Sequence, residues 1–203
     1  MAIKNIIFDM GGVLVEFNPE NMIRRCSLSD YKDEIMTALF KSEEWKKMDS
    51  GDLSVDEALE IMTDRLAPQI REKAKVMVLD RENYMPPLKV TTPIINALHQ
   101  NGYRLFVLSN CPAWFHSFKK SIPSIELFEG FVVSADCRVS KPDEKIYKIL
   151  LDKFSLKAEE CFFIDDSQAN TDKAKELGFF AHKFDISDTA SLIKDMRECG
   201  VNI

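Results

Sequence analysis

The sequence predicts an α/β protein, a doubly wound parallel sheet with a small α-helical segment inserted near its start. Three observations carry that expectation. Short apolar runs without alternation recur at residues 3–8, 105–108, 131–133, 161–164 and 179–182, as in strands covered on both faces. From residue 92 onward they alternate with helical patterns, the order that builds a parallel sheet. Between residues 17 and 85 there is no convincing strand, only amphipathic helices.

Taken in order, the first run ends in Asp9, followed by Met10-Gly11-Gly12. In the insert, Tyr31, Ile35, Met36, Leu39 and Phe40 share one helical face. Val55, Ala58, Leu59, Met62 and Leu66 share another, opened by the capping-box pattern Ser54-Val-Asp-Glu57. Pro86-Pro87 marks the exit. The expected organisation is a discontinuous α/β core, residues 1–16 and 86–203, with an α-helical cap at 17–85. Hinges are expected near residues 16–20 and 84–88. Thr92 is expected to cap the next helix, with Pro93 in its first turn and Gly102 past its end. Ile146, Tyr147, Leu150 and Phe154 form an apolar stripe after Pro142, and a shorter helix over 170–177 closes at Gly178.

A chain of 203 residues, 45% hydrophobic and 30% charged, can bury such a core without disulfides or structural metal. Its 27 basic and 33 acidic side chains give a net charge of −6. That charge disfavours nucleic acid and anionic membranes as partners. It also repels a small phosphorylated metabolite, so an anion site needs local help from a lysine, a cation or backbone N–H groups. Five cysteines lack CxxC spacing and three histidines are scattered, which argues against a disulfide framework and against zinc. No apolar stretch approaches the roughly 20 residues that span a bilayer. The expectation is a cytoplasmic protein, monomeric or homodimeric.

In open α/β sheets ligands bind beyond the carboxyl ends of the strands. There the sequence places Asp9, Ser109-Asn110, Lys141-Pro142 and Asp165-Asp166. Singly, Ser109 and Lys141 read as turn and helix-start chemistry. The adjacent pair Asp165-Asp166 reads differently, because two carboxylates beside a buried strand repel unless a cation offsets them. With Asp9 they make three negative charges, which one Mg²⁺ and Lys141 neutralise. Magnesium suits an all-oxygen site that it shares with phosphate.

Asp9, Ser109-Asn110, Lys141-Pro142 and Asp165-Asp166, in that order, resemble the four motifs of the haloacid dehalogenase superfamily. The helical insert resembles that superfamily's small cap. The run Phe-Ile-Asp-Asp-Ser-Gln-Ala-Asn170 is similar to the fourth motif of its sugar-phosphatase-like branch. The resemblance implies a Mg²⁺-dependent phosphatase acting on a small phosphorylated metabolite, such as a sugar phosphate, through an aspartyl-phosphate on Asp9. It implies phosphate binding by Ser109, Asn110 and Lys141, with Lys141 also stabilising transition-state charge. Metal ligation falls to Asp9, the Gly11 backbone carbonyl and Asp166, with Asp165 ligating or orienting. Backbone groups of Met10 and Asn110 are further candidate contacts.

One position departs from the pattern. Such phosphatases usually carry a second Asp two residues after the nucleophile as general acid and base; here that position is Gly11. Two other readings stand beside the phosphatase: a metal-independent 2-haloacid dehalogenase, against which the Asp165-Asp166 pair weighs, and a non-catalytic protein that binds a phosphorylated ligand or a partner, which Gly11 supports. Trp45 and Trp114 are candidates to line the cleft or simply to pack, and Cys111 adjoins the expected phosphate site. Arg24, Arg25 and Lys46 are candidates to read substrate from the cap, with a solvated helix face as the plainer reading.

Overall fold

The computed structural model describes residues 2–203. Its sheet is built from β1 (Asn5–Phe8), β2 (Arg104–Ser109), β3 (Gly130–Val133), β4 (Cys161–Asp165) and β5 (Phe180–Lys183). All neighbours pair in parallel, in the order β3-β2-β1-β4-β5. Each strand coincides with one of the expected apolar runs. The chain winds outward from β1 through β2 and β3, then returns to lay β4 and β5 on the other side. The topological switch therefore falls beside β1, where ligand crevices open.

Strand residues alternate between two buried faces. Ile7, Phe106 and Phe163 pack with Ile146, Tyr147 and Leu150 of the helix Glu144–Phe154. Ile6, Phe8, Leu105, Val107 and Phe162 belong to the larger core on the opposite face. That face is covered by Ile95 and Leu98 of the helix Thr92–Gln100 and by Leu192 and Met196 of the helix Thr189–Glu198. Full burial of one such side chain stabilises by about 1.5–3 kcal/mol, which explains why neither face tolerates alternation with polar residues.

One helix start differs from expectation. Thr91, not Thr92, is the residue before the first helical turn, and its side chain does not cap. Its hydroxyl donates instead to the Leu88 carbonyl at 2.9 Å, so Thr92 is already helical and Pro93 follows in the first turn. Gly102 lies past the helix end with φ +83°.

Between β1 and β2 lies the helical insert, comprising α1 (Pro19–Arg25), α2 (Glu43–Asp49), α3 (Val55–Asp64) and α4 (Arg71–Leu79) with shorter turns. No strand occurs in it among the described residues. The capping box of Ser54 and Glu57 is complete at the start of α3. The face shared by Tyr31, Ile35, Met36, Leu39 and Phe40 is not one continuous α-helix. It passes from a 3₁₀ turn (Ser29–Tyr31) through an α turn (Lys32–Ile35) into a π turn (Met36–Phe40). This final turn brings the Phe40 ring within 4.7 Å of Trp45.

The insert's entry and exit run side by side. Glu16 N–H donates to Pro86 O at 2.8 Å and Leu88 N–H to Leu14 O at 2.9 Å. A second tie comes from Ser134, which follows β3 and donates its hydroxyl to the Asp49 carbonyl at 2.5 Å. All five cysteines are free thiols. Among the described residues no helix is long and apolar enough to cross a membrane.

Candidate active site

The register of the three central strands sets the site. Phe8 pairs with Val107 on one side and Ile164 on the other, and Asp9 N–H continues the ladder to the Ile164 carbonyl at 2.8 Å. Asp9, Ser109 and Asp165 therefore emerge at one sheet edge. Lys141 reaches the same edge from beyond β3. Its side chain is fully buried, with Nζ 3.0 Å from Asp9 Oδ1 and 2.6 Å from Asp165 Oδ2. Nζ also donates to the Leu108 carbonyl at 2.8 Å, so all three of its protons have partners.

The backbone at Lys141 is pinned by Asn110. Asn110 Oδ1 accepts from Lys141 N–H at 2.8 Å and its Nδ2 donates to Lys141 O at 2.9 Å. The Asn110 side chain is thus spent on aiming the lysine, while the residue also lines the cavity in front of Asp9. Ser109 is almost wholly buried, and its hydroxyl has no hydrogen-bond partner. A buried, unpaired hydroxyl at a strand end has the character of a ligand contact.

The three aspartates fit a magnesium ion. One oxygen from each of Asp9, Asp165 and Asp166 lies within 4.8 Å of the others, and carboxylates are the hard donors that Mg²⁺ takes. Their surroundings differ. Asp165 is completely buried and accepts from Lys141, Ser167 N–H and Asn170 Nδ2. Asp166 is exposed, and Gly12 makes room for it. A Cβ at Gly12, whose φ is +72°, would lie 2.3 Å from Asp166 Oδ2. Burial pushes the Asp9 carboxyl well above its usual range; Lys141 opposes this, and Asp165 and Asp166 add to it. Burial alone would lower Lys141, but the charges of Asp9 and Asp165 outweigh it and hold the ammonium protonated.

A cavity of about 180 Å³ opens in front of Asp9, walled by Phe17, Trp45, Met85, Cys111 and Trp114. Both tryptophans line it, and Trp45 also packs against Phe17 and Phe40. The Cys111 thiol is pushed up by burial and then by Asp49 and Asp9, so it stays a protonated wall group. Arg25 pairs with Glu16 and Lys46 with exposed Glu43, and none of the four lines this cavity.

The family model of the haloacid dehalogenase-like hydrolases matches residues 3–178 of the sequence. The chain belongs to that family. As a haloacid dehalogenase-like hydrolase it has phosphatases among its relatives. It is 26% identical over 196 residues to a sesquiterpene phosphatase of Aspergillus oryzae, covering 96% of this chain and 95% of that protein. It is also 26% identical to a D-ribitol-5-phosphate phosphatase of Bacteroides thetaiotaomicron, covering 87% and 89%. Among solved structures, a haloacid dehalogenase family enzyme of Bacteroides thetaiotaomicron in complex with magnesium and inorganic phosphate superposes with a TM-score of 0.74. The identity is 20%, over 95% of this chain and 99% of that one. An L-2-haloacid dehalogenase superposes at 0.69 with 16% identity over 89% and 86%. These likenesses establish the shared fold.

The structure brings Asp9, Gly11, Ser109, Asn110, Lys141, Asp165 and Asp166 to one place. Sequence reasoning passed over Asp49, the last residue of α2, which lines the same cavity. Trp45 and Asp49 stand four residues apart and share a helix face. That spacing was the available signal, but an acid before Ser50-Gly51 reads as a solvated helix end. Burial pushes the Asp49 carboxyl up to about 8; the Trp45 indole works against this and the charge of Asp9 adds to it.

Proposed function

We propose that this hydrolase is a Mg²⁺-dependent phosphatase of a small phosphorylated metabolite, working through an aspartyl-phosphate on Asp9. The observation that carries this reading is the convergence on Asp9 of a fully buried lysine, an unpaired serine hydroxyl and two further carboxylates. An oxygen of Asp9 attacks phosphorus, the Asp9–phosphorus bond forms and the ester oxygen departs. Lys141 Nζ and Ser109 Oγ hold equatorial phosphoryl oxygens, and the ammonium offsets the charge that builds there. Water then attacks the acyl phosphate, releasing orthophosphate and restoring the carboxylate. Asp9, Asp166 and the Gly11 carbonyl would hold Mg²⁺, and Asp165 orients Lys141. The bound cation supplies charge neutralisation between the phosphoryl group and the three aspartates.

Residues 17–85 act as a cap over a core of 1–16 and 86–203, and set the substrate range through the cavity wall. A sugar phosphate is the first substrate class to test, by likeness of the fourth motif. The aromatic and methionine wall favours a second class, organic monophosphates with an apolar body, and the sesquiterpene phosphatase relative supports including it. The unpaired thiols suit the reducing cytoplasm.

The test is phosphate release across sugar, nucleotide and prenyl monophosphates, with Mg²⁺ and with EDTA. Release should require Mg²⁺ and vanish in Asp9→Asn. Halide release from 2-haloacids that persists in EDTA would favour the dehalogenase reading, and binding without turnover across the panel would favour the non-catalytic one.

A further inference from the structure

A phosphate monoester of an ordinary alcohol leaves as an alkoxide, a strong base that needs a proton as the bond breaks. The residues directly after Asp9 cannot supply it. Gly11 and Gly12 carry no side chain; the first position is tight and the second sterically closed. A Cβ at Gly11 would approach Phe17 Cβ to 3.3 Å, and one at Gly12 would collide with the Asp166 carboxylate. The donor has to come from elsewhere on the cavity wall.

We propose that Asp49, at the end of α2 in the helical insert, is the group that protonates the leaving oxygen and later activates water. This rests on the phosphatase reading above. Asp9, Asp166 and Asp49 are the acids lining the cavity, and Asp49 alone lies outside the cluster that fits a metal. It comes from the insert, whereas the phosphate-holding groups come from the sheet edge. It therefore meets the ester from the side where the organic part of a substrate has to lie.

Asp49 is also held in place. Its carbonyl accepts the Ser134 hydroxyl, and the same Ser134 oxygen accepts Cys111 N–H at 2.8 Å. The end of α2 is thus clamped to the loop after β2. Two residues on, Gly51 has φ +76° and backs so closely onto Ala135 that a Cβ would lie 2.5 Å from the Ala135 carbonyl oxygen. No lysine or arginine lines the cavity beside Asp49 to force its ionisation, and its raised pKa agrees with a carboxyl that arrives protonated.

The steps balance. As the Asp9–phosphorus bond forms and the phosphorus–ester bond breaks, the leaving oxygen keeps the electron pair and takes the proton of Asp49. In the second half a water oxygen bonds to phosphorus, its proton returns to Asp49, and the Asp9–phosphorus bond breaks.

The experiment compares n-butyl phosphate, whose alcohol needs a proton, with p-nitrophenyl phosphate, whose phenolate leaves without one. In Asp49→Asn, kcat/KM, which covers departure of the alcohol but not the later hydrolysis common to both esters, should fall by about 10²–10⁴-fold for the butyl ester. The nitrophenyl ester should lose less than about tenfold in kcat/KM, and Mg²⁺ affinity by calorimetry should not change. Equal losses of kcat/KM for both esters, no loss for the butyl ester, or a loss of Mg²⁺ binding each overturn the assignment. A retained kcat/KM for the nitrophenyl ester reports that the variant is folded. The wild type gives a check that needs no variant: rates across a series of leaving groups should depend weakly on their basicity, and a steep dependence overturns the proposal. If the wild type with Mg²⁺ releases phosphate from none of these esters, the phosphatase reading fails and this one with it. If the wild type is active and Asp49→Asn fails to discriminate, only this one fails.

Discussion

Lys141 shows how much one residue carries. Its ammonium sits between two buried carboxylates, so removing it leaves Asp9 and Asp165 facing each other without compensation. Breaking such a buried pair costs about 3–5 kcal/mol. Lys141→Met should therefore lower stability in urea by that amount and reduce phosphate release by at least about 10²-fold. Asp49 predicts a pH effect. Its folded pKa of about 8 stands above its ordinary value of 3.8, so the native state binds a proton that the unfolded chain releases. The stability this confers is complete below pH 4 and is lost as pH rises through 8. In EDTA, the urea midpoint of the wild type should fall relative to Asp49→Asn between pH 5 and pH 9, by a gap worth at least about 1 kcal/mol. A gap that stays constant with pH would contradict the assignment.

At the scale of elements, α2 matters through its far end. Gly51→Ala demands a Cβ where the Ala135 carbonyl stands, at a left-handed φ. The cost is about 1–3 kcal/mol, and the shift moves Asp49 off its clamp. Thermal stability and kcat should fall together, while Mg²⁺ affinity stays as it was. The same scale shows what the sequence made legible. Unalternated apolar runs located every strand, because a sheet covered on both faces leaves no polar side to confuse the period. The Ser54–Glu57 box located the start of α3, because its partners lie within four residues. The face from Tyr31 to Phe40 was legible as apolar but not as a π turn, whose extra residue is set by packing against Phe17 and Trp45. Thr92 lost the capping position to Thr91 for a local reason, the hydroxyl bond back to Leu88. The strand-end residues could be gathered because topology places all strand ends on one edge. Asp49 could not be, because nothing in the spacing says that α2 ends against the sheet.

For the whole molecule, the acidic charge and the anionic site pose one problem with one remedy. Three carboxylates share a sheet edge with one buried ammonium between Asp9 and Asp165, so a divalent cation should stabilise the fold as well as serve the reaction. At a Mg²⁺ concentration 100 times its Kd, linkage gives about 2.7 kcal/mol. The melting temperature should rise with Mg²⁺ and return with EDTA, and Asp166→Asn should flatten that response. A wild-type melting temperature indifferent to Mg²⁺ would count against the metal assignment.

The paired connectors at Glu16–Pro86 and Leu14–Leu88 have a consequence for how such a chain can diversify. Because the two strands of chain enter and leave at one point, the segment between them behaves as a cassette. Closing the gap takes a short turn rather than a new path across the sheet, and the strand ends bearing Asp9, Ser109, Lys141 and Asp165 need not move. Under the proposed phosphatase reading, recombination at this junction exchanges the wall that meets the organic half of a substrate while leaving the phosphoryl half intact. In this chain the cassette also carries an acid, so swapping it would change both what is recognised and how readily it departs.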